Sequence, residues 1–330
     1  MPEPAVRRKF FFCLLLSLSF AAGSFAQMPR WVKHVPDTSG RAITVEQKAL
    51  EADVAYLSSE LCAGRATGSR GGAEAAFFLL RRFRALGLKA GVLAFSVPES
   101  GALETRVGHN VWCALPPSEP SARSRWIVVL ASYDGLGTLE GRMYPGADAN
   151  ASGVAALLSL AARLSSLPQR RDGVLFVALD AHNAGRAGAE ALCGALSAAQ
   201  APFAELPLRL VRLVLNLDTV GSALAPVDKA WKAYLMALGG ASYLPALEKC
   251  NSGLELRLYD SYYRSRDFTD LFYRRLGDHR PFLEKGLRCV MMTSGITDHT
   301  NKVSDTAETL HYPMFEKRVT LIERWLKTLL

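Results

Sequence analysis

Ser132-Tyr133-Asp134, Ala181-His182-Asn183, Asn216-Leu217-Asp218 and His299-Thr300 each stand at or just beyond an apolar run, and Asp148-Ala149-Asn150 opens a small-residue helix. These side chains permit three chemistries. His and Asp are zinc ligands, so Asp148, His182, Asn183, Asp218 and His299 could be drawn into one mononuclear metal site. Ser132 with His182 or His299 and an Asp has the residue types of a nucleophilic triad. That reading lacks a Gly-x-Ser-x-Gly elbow to expose the serine and lacks an evident oxyanion hole. The third possibility is a polar cleft that binds without catalysing. Each residue also has a purely structural reading. Asp134 and Asp218 could bond loop amides or cap the elements that follow. His299 could be a plain loop histidine, and His34, His109 and His311 have no partner pattern.

The surrounding elements place these residues together. Trp126–Ala131, Val174–Leu179, Leu210–Leu217 and Cys289–Thr293 are near-continuous apolar runs, as expected of strands buried on both faces. Helical spacing covers residues 45–59, 73–87, 151–164, 187–199 and 313–329, while repeated glycine makes Leu61–Gly72 a loop. Strands alternating with helices predict an α/β fold with a mostly parallel central sheet and helices on both faces. In such sheets ligands sit at the C-terminal strand ends, where the segments above fall.

Composition narrows the class. Apolar residues make up 49% and charged residues 21% of the chain, which suits a globular domain with a substantial core. Residues 1–26 read as a cleaved signal peptide: Arg7, Arg8 and Lys9, then an apolar stretch, then Ser24-Phe25-Ala26 before Gln27. Residues 27–44 read as a leader and 45–330 as a single domain, exported to the periplasm or secreted. The apolar stretch falls short of the roughly 20 residues a membrane span needs. Without residues 1–26 the chain keeps 36 basic and 30 acidic residues, a net charge of +6. The basic residues are scattered and no aromatics interleave them, so nucleic acid is not an expected partner. Cys62, Cys113, Cys193, Cys250 and Cys289 remain, without CxxC spacing, and their pairing is left open.

The order of these segments resembles the co-catalytic di-zinc aminopeptidases, the family that includes glutaminyl cyclase, glutamate carboxypeptidase and the transferrin receptor ectodomain. The resemblance runs from about Leu57 to Leu330. It is carried by Leu57 to Gly71, His109-Asn-Val-Trp112, Tyr144-Pro-Gly-Ala-Asp-Ala-Asn-Ala-Ser-Gly-Val154, the strand-end segments, and Pro281-Phe-Leu-Glu-Lys-Gly286. It implies a zinc-exopeptidase fold and assigns roles by position. Ser132 stands where a histidine would ligate one zinc, and Asp134 is the orienting carboxylate beside it. Ala149 stands where an aspartate would bridge both metals, between the matching Asp148 and Asn150. His182 replaces the general-base glutamate and Asn183 a ligand glutamate. Asp218 and His299 fall on ligand positions, and Asp278-His279 on a segment outside the metal shell.

One retained ligand per metal is well below the three or so that a catalytic zinc requires. The resemblance therefore implies a peptidase homologue that has lost its metal centre and general base and acts by binding. No cofactor is expected. The occupant of the vestigial cleft would be a peptide, a small ligand or a partner protein. The alternative is an active metallo-aminopeptidase with a remodelled site, in which case zinc would be bound.

Overall fold

The computed structural model describes residues 43–97, 106–223 and 233–330. The expected signal peptide (1–26) and most of the leader (27–44) lie outside the described residues. Helix α1 (Val45–Leu57) opens on a capping box: Thr44 Oγ1 accepts from the Gln47 amide at 3.0 Å, and Gln47 Oε1 accepts from the Thr44 amide at 3.3 Å. Helix α2 (Arg70–Ala85) is capped by Ser69 and begins inside the stretch that repeated glycine marked as a loop. The turn before it explains why. A Cβ on Gly71 would stand 2.1 Å from the Cys62 carbonyl oxygen, so glycine here permits close helix packing rather than breaking the helix.

The described residues form ten strands, of which four follow the expected apolar runs and the others include the antiparallel members. The long strands are β1 (Lys89–Val97), β2 (Arg106–Leu115), β3 (Trp126–Ser132), β6 (Gly173–Leu179) and β7 (Val211–Leu217). Shorter ones are β4 (Gly137–Leu139) and β5 (Arg142–Tyr144), which form a separate hairpin, with β8 (Tyr234–Leu238), β9 (Arg257–Tyr259) and β10 (Cys289–Thr293). The main sheet runs β1-β2-β6-β3-β7-β10-β8-β9. Its centre, β6-β3-β7-β10, is parallel, while β1, β2 and the β10–β8 pair are antiparallel.

Side-chain alternation divides the core into two layers. Ile127, Val129 and Ala131 of β3 face one layer with helices α1, α2, α3 (Gly153–Ser165) and the C-terminal α7 (Tyr312–Leu329). Val128 and Leu130 face the other, against α4 (Ala187–Ser197) and Phe282 of the short helix α6 (Arg280–Glu284). Helix α5 (Leu244–Cys250) joins the first layer. Every residue of β6 is buried, which is the physical basis of its unbroken apolar run. All five described cysteines are free thiols, four of them buried. No described helix is long and apolar enough to cross a membrane.

Candidate functional site: a cleft at the parallel strand ends

Ser132, Asp134, His182, Asn183 and Asp218 converge because β3, β6 and β7 are parallel neighbours that end at the same sheet edge. Asp134 is buried and organises the β6 loop. Its Oδ1 accepts from the His182 amide at 2.8 Å, and its Oδ2 accepts from the Asn183 amide at 3.0 Å and side-chain Nδ2 at 3.1 Å. This amide-binding role was one of the two open in the sequence. Asn150 ties three elements: Nδ2 donates to Leu217 O at 3.0 Å and Ser132 O at 3.3 Å, while Oδ1 accepts from Thr219 N at 2.9 Å and Gly153 N at 3.2 Å. The crossing is so close that a Cβ on Gly153 would stand 2.3 Å from Asn150 Oδ1 and 2.6 Å from Leu217 O.

The loop that carries Ala149 is held from below by groups that sequence reasoning passed over. Asp305 accepts from the Asp148 amide at 2.8 Å and the Ala149 amide at 3.0 Å. Arg65, fully buried, donates to the carbonyls of Leu57, Tyr133, Pro145 and Gly146. Asp148 Oδ1 accepts from Ser152 Oγ, Gly221 N and Ser222 N, at 2.9 to 3.1 Å. Burial pushes Asp148 upward and Asp305 up to about 7, where the neighbouring Asp148 charge adds to the effect.

His182 has a partner far along the chain. Its Nδ1 lies 3.0 Å from both oxygens of Asp278, a residue buried just before α6. Burial opposes the imidazolium, yet Asp278, assisted by Asp134 and Asp218, outweighs it and raises His182 to about 10. At neutral pH His182 is therefore a cation, unable to accept a proton as a general base. Asp218 is half-buried; burial raises it to about 6, against the opposing pull of His182. Asp134 is raised to about 6 in the same way.

The cleft above these residues has a volume of about 150 Å³. Its floor is Ser132, Asp134, Ala149, His182, Asn183 and Asp218, and one wall is Tyr262, Phe272, Leu276, Met291 and Ile296. Tyr262 and Phe272 are stacked with ring centroids 4.3 Å apart. Thr300 and Asn301 complete the rim. His299 does not: its Nδ1 meets Ser304 Oγ at 3.0 Å, outside the set that lines the cleft. The sequence drew attention to His299 because histidine is the ligand type, whereas the fold brings Asn301 to the cavity. Asp148 also points away, spending Oδ1 on loop donors, and Asn183 is committed to Asp134. Ser132 Oγ lies 3.4 Å from Asn150 Nδ2, and His182 turns Nδ1 to Asp278.

A zinc centre does not fit this donor set. Among the described residues no group of three His, Cys, Asp or Glu side chains is placed to hold a metal ion. Asp218 is the one anionic ligand candidate that faces the cavity without a hydrogen-bond donor among the described residues, and the neighbouring imidazole is occupied by Asp278.

The comparisons with known proteins agree with the architecture. No protein of curated function matches the sequence. The zinc aminopeptidase BSAP of Bacillus subtilis superposes with a TM-score of 0.66 at 14% identity, covering 88% of this chain and 96% of that one. The glutaminyl cyclase of Fimbriiglobus ruber gives 0.67 at 17% identity, covering 88% and 97%. That of Porphyromonas gingivalis gives 0.63 at 16%, covering 86% and 98%. These likenesses concern the fold. Residues 110–325 match the sequence description of Peptidase family M28, about two thirds of the chain, and the chain belongs to that family.

Proposed function

We propose that this protein is an exported member of the peptidase family that binds a ligand in the former catalytic cleft and does not hydrolyse peptides. The observation that carries this reading is the side-chain set at the strand ends. Ala149 offers no ligand, His182 is locked to Asp278 as a cation, and Asn183 is a neutral amide bonded to Asp134. A metal-activated water needs about three protein ligands, and among the described residues no such group is placed on this floor, while the position of the family's general base holds His182. The cleft itself is kept: Asp134 satisfies the loop amides, and Tyr262, Phe272, Met291 and Ile296 give it an apolar wall, as in small-ligand sites. The N-terminal segment supports export, with residues 1–26 removed and a mature chain in the periplasm or outside the cell.

The test is an aminopeptidase assay with a panel of aminoacyl p-nitroanilides, run with added zinc and with a chelator. The reading expects no turnover above background in either. Zinc-dependent release that disappears in Asp218→Ala would establish the metallo-aminopeptidase alternative instead.

A further inference from the structure

We infer that the base of the sheet, at the end opposite the cleft, is a docking surface for an anionic phospholipid bilayer, held by arginines at the N-terminal ends of the parallel strands. The inference stands on the fold and does not depend on what the cleft binds.

Strands β6, β3, β7 and β10 begin at one edge just as they end at the other: Trp126 is level with Gly173 and Val211, and Cys289 with Val214. Antiparallel β2 ends at that edge too, with Leu115 beside Val174. Four connecting segments therefore share the base: residues 116–125, 166–172, 198–210 and 285–288. Together they carry six arginines and Lys285 against Glu119, Asp172 and Glu205. These segments thus hold +4 of the net +6 carried by residues 27–330.

Part of that charge is spent on holding the base together, and the rest faces outward. Asp172 is buried; its Oδ2 lies 3.3 Å from Arg171 and 2.7 Å from Arg212 of β7, and its Oδ1 accepts from the Arg125 amide at 3.0 Å. One carboxylate thus ties the starts of three strands and leaves a surplus cation, with Arg171 still 67% exposed. Arg123, Arg209 and Arg288 are exposed, and among the described residues no partner reaches their side chains. Cations therefore stand at the start of all four strands, which at about 4.8 Å per strand makes a row about 15 Å long. None of the exposed large apolar side chains lies in these segments, so nothing there would insert among acyl chains. The attraction is between guanidinium and lipid phosphate, which match in charge and in bidentate geometry. Seven-residue strands separate the base from the cleft by roughly 20 Å. Docking by the base leaves the cleft, with Asp134 and Asp218 on its floor, open to the aqueous phase.

Co-sedimentation of the full mature chain with phosphatidylglycerol–phosphatidylcholine vesicles, and with phosphatidylcholine alone, would test this. The expected result is saturable binding to the anionic vesicles only, lost at about 1 M salt, where the screening length falls to about 3 Å. A basic residue near an anionic bilayer is worth about fivefold, so Arg123→Gln, Arg209→Gln and Arg288→Gln together should weaken binding about 100-fold. Removing as many charges at the cleft end, with Arg142→Gln, Arg266→Gln and Lys302→Gln, should change it by less than about threefold. All six side chains are exposed, and an unchanged urea midpoint shows that both variants fold. Equal binding to both kinds of vesicle, no binding to the anionic ones, or equal losses in the two triple variants would overturn the inference. Heparin binding without vesicle binding would also overturn it, and would assign the base to a soluble polyanion.

Discussion

Replacing Asp278 with asparagine isolates the His182–Asp278 pair. The substitution keeps shape and removes one charge. In the folded protein burial opposes the imidazolium, and Asp278, assisted by Asp134 and Asp218, raises His182 to about 10; unfolded, a histidine titrates near 6.5. A group whose folded pKa is raised contributes stability that is complete below the unfolded value and is lost as pH rises through the folded one. Between those limits the full shift would be worth ~4 kcal/mol at pH 7 by linkage. The imidazole is 30% exposed, so solvent screens the pair and roughly half that figure, ~2 kcal/mol, is the expected cost of Asp278→Asn. At pH 9.5, where His182 is already losing its proton, the cost should fall below about 0.5 kcal/mol by the same linkage. Urea denaturation of both proteins at the two pH values measures the difference. A loss that is the same at both values would mean that Asp278 acts through packing, and no loss at pH 7 would refute the ion pair.

Other consequences concern the scaffold under the cleft. Arg65→Met removes a buried cation that satisfies four carbonyls, and should cost more than about 3 kcal/mol, seen as a lowered midpoint in chemical denaturation. Gly153→Ala would push a methyl group into Asn150 and the Leu217 carbonyl, with a cost of about 1–3 kcal/mol from overpacking, in the same assay. Burial raises Asp134 and Asp218 to about 6 and Asp305 to about 7, which outweighs the opposing single proton of His279, lowered by burial to about 4, so the fold binds more protons than the unfolded chain between about pH 4 and 7. Stability should therefore fall as pH climbs through that window, and a thermal scan at pH 5 should give a higher Tm than one at pH 8. The export proposal predicts that intact-mass analysis of the chain from the periplasmic or extracellular fraction finds Gln27 at the N-terminus.

The central strands were legible because each is buried on both faces and so reads as an apolar run without alternation. Tyr234–Leu238 and Arg257–Tyr259 were not, since three to five residues carry too little pattern to separate a strand from the apolar side of a helix. Of the site, the strand-end positions Ser132, Asp134, His182, Asn183 and Asp218 could be placed together from order alone, because parallel neighbours end at one edge. The pairing of His182 with Asp278, 96 residues apart, left no local signal, although Asp278-His279 stood out as a segment. Asp305 and Arg65 act through backbone groups, which leave no residue-type pattern to search for. His299, a suggestive residue type, meets Ser304, while its neighbours Thr300 and Asn301 line the cleft.

The most direct test of the account is the zinc content of the purified mature chain, by elemental analysis after dialysis against excess zinc and then metal-free buffer. A metal-free binding cleft predicts well below one equivalent, unchanged in Asp218→Ala. One or two equivalents in the native chain, lost in that variant, would contradict it and return the protein to the active metallopeptidases.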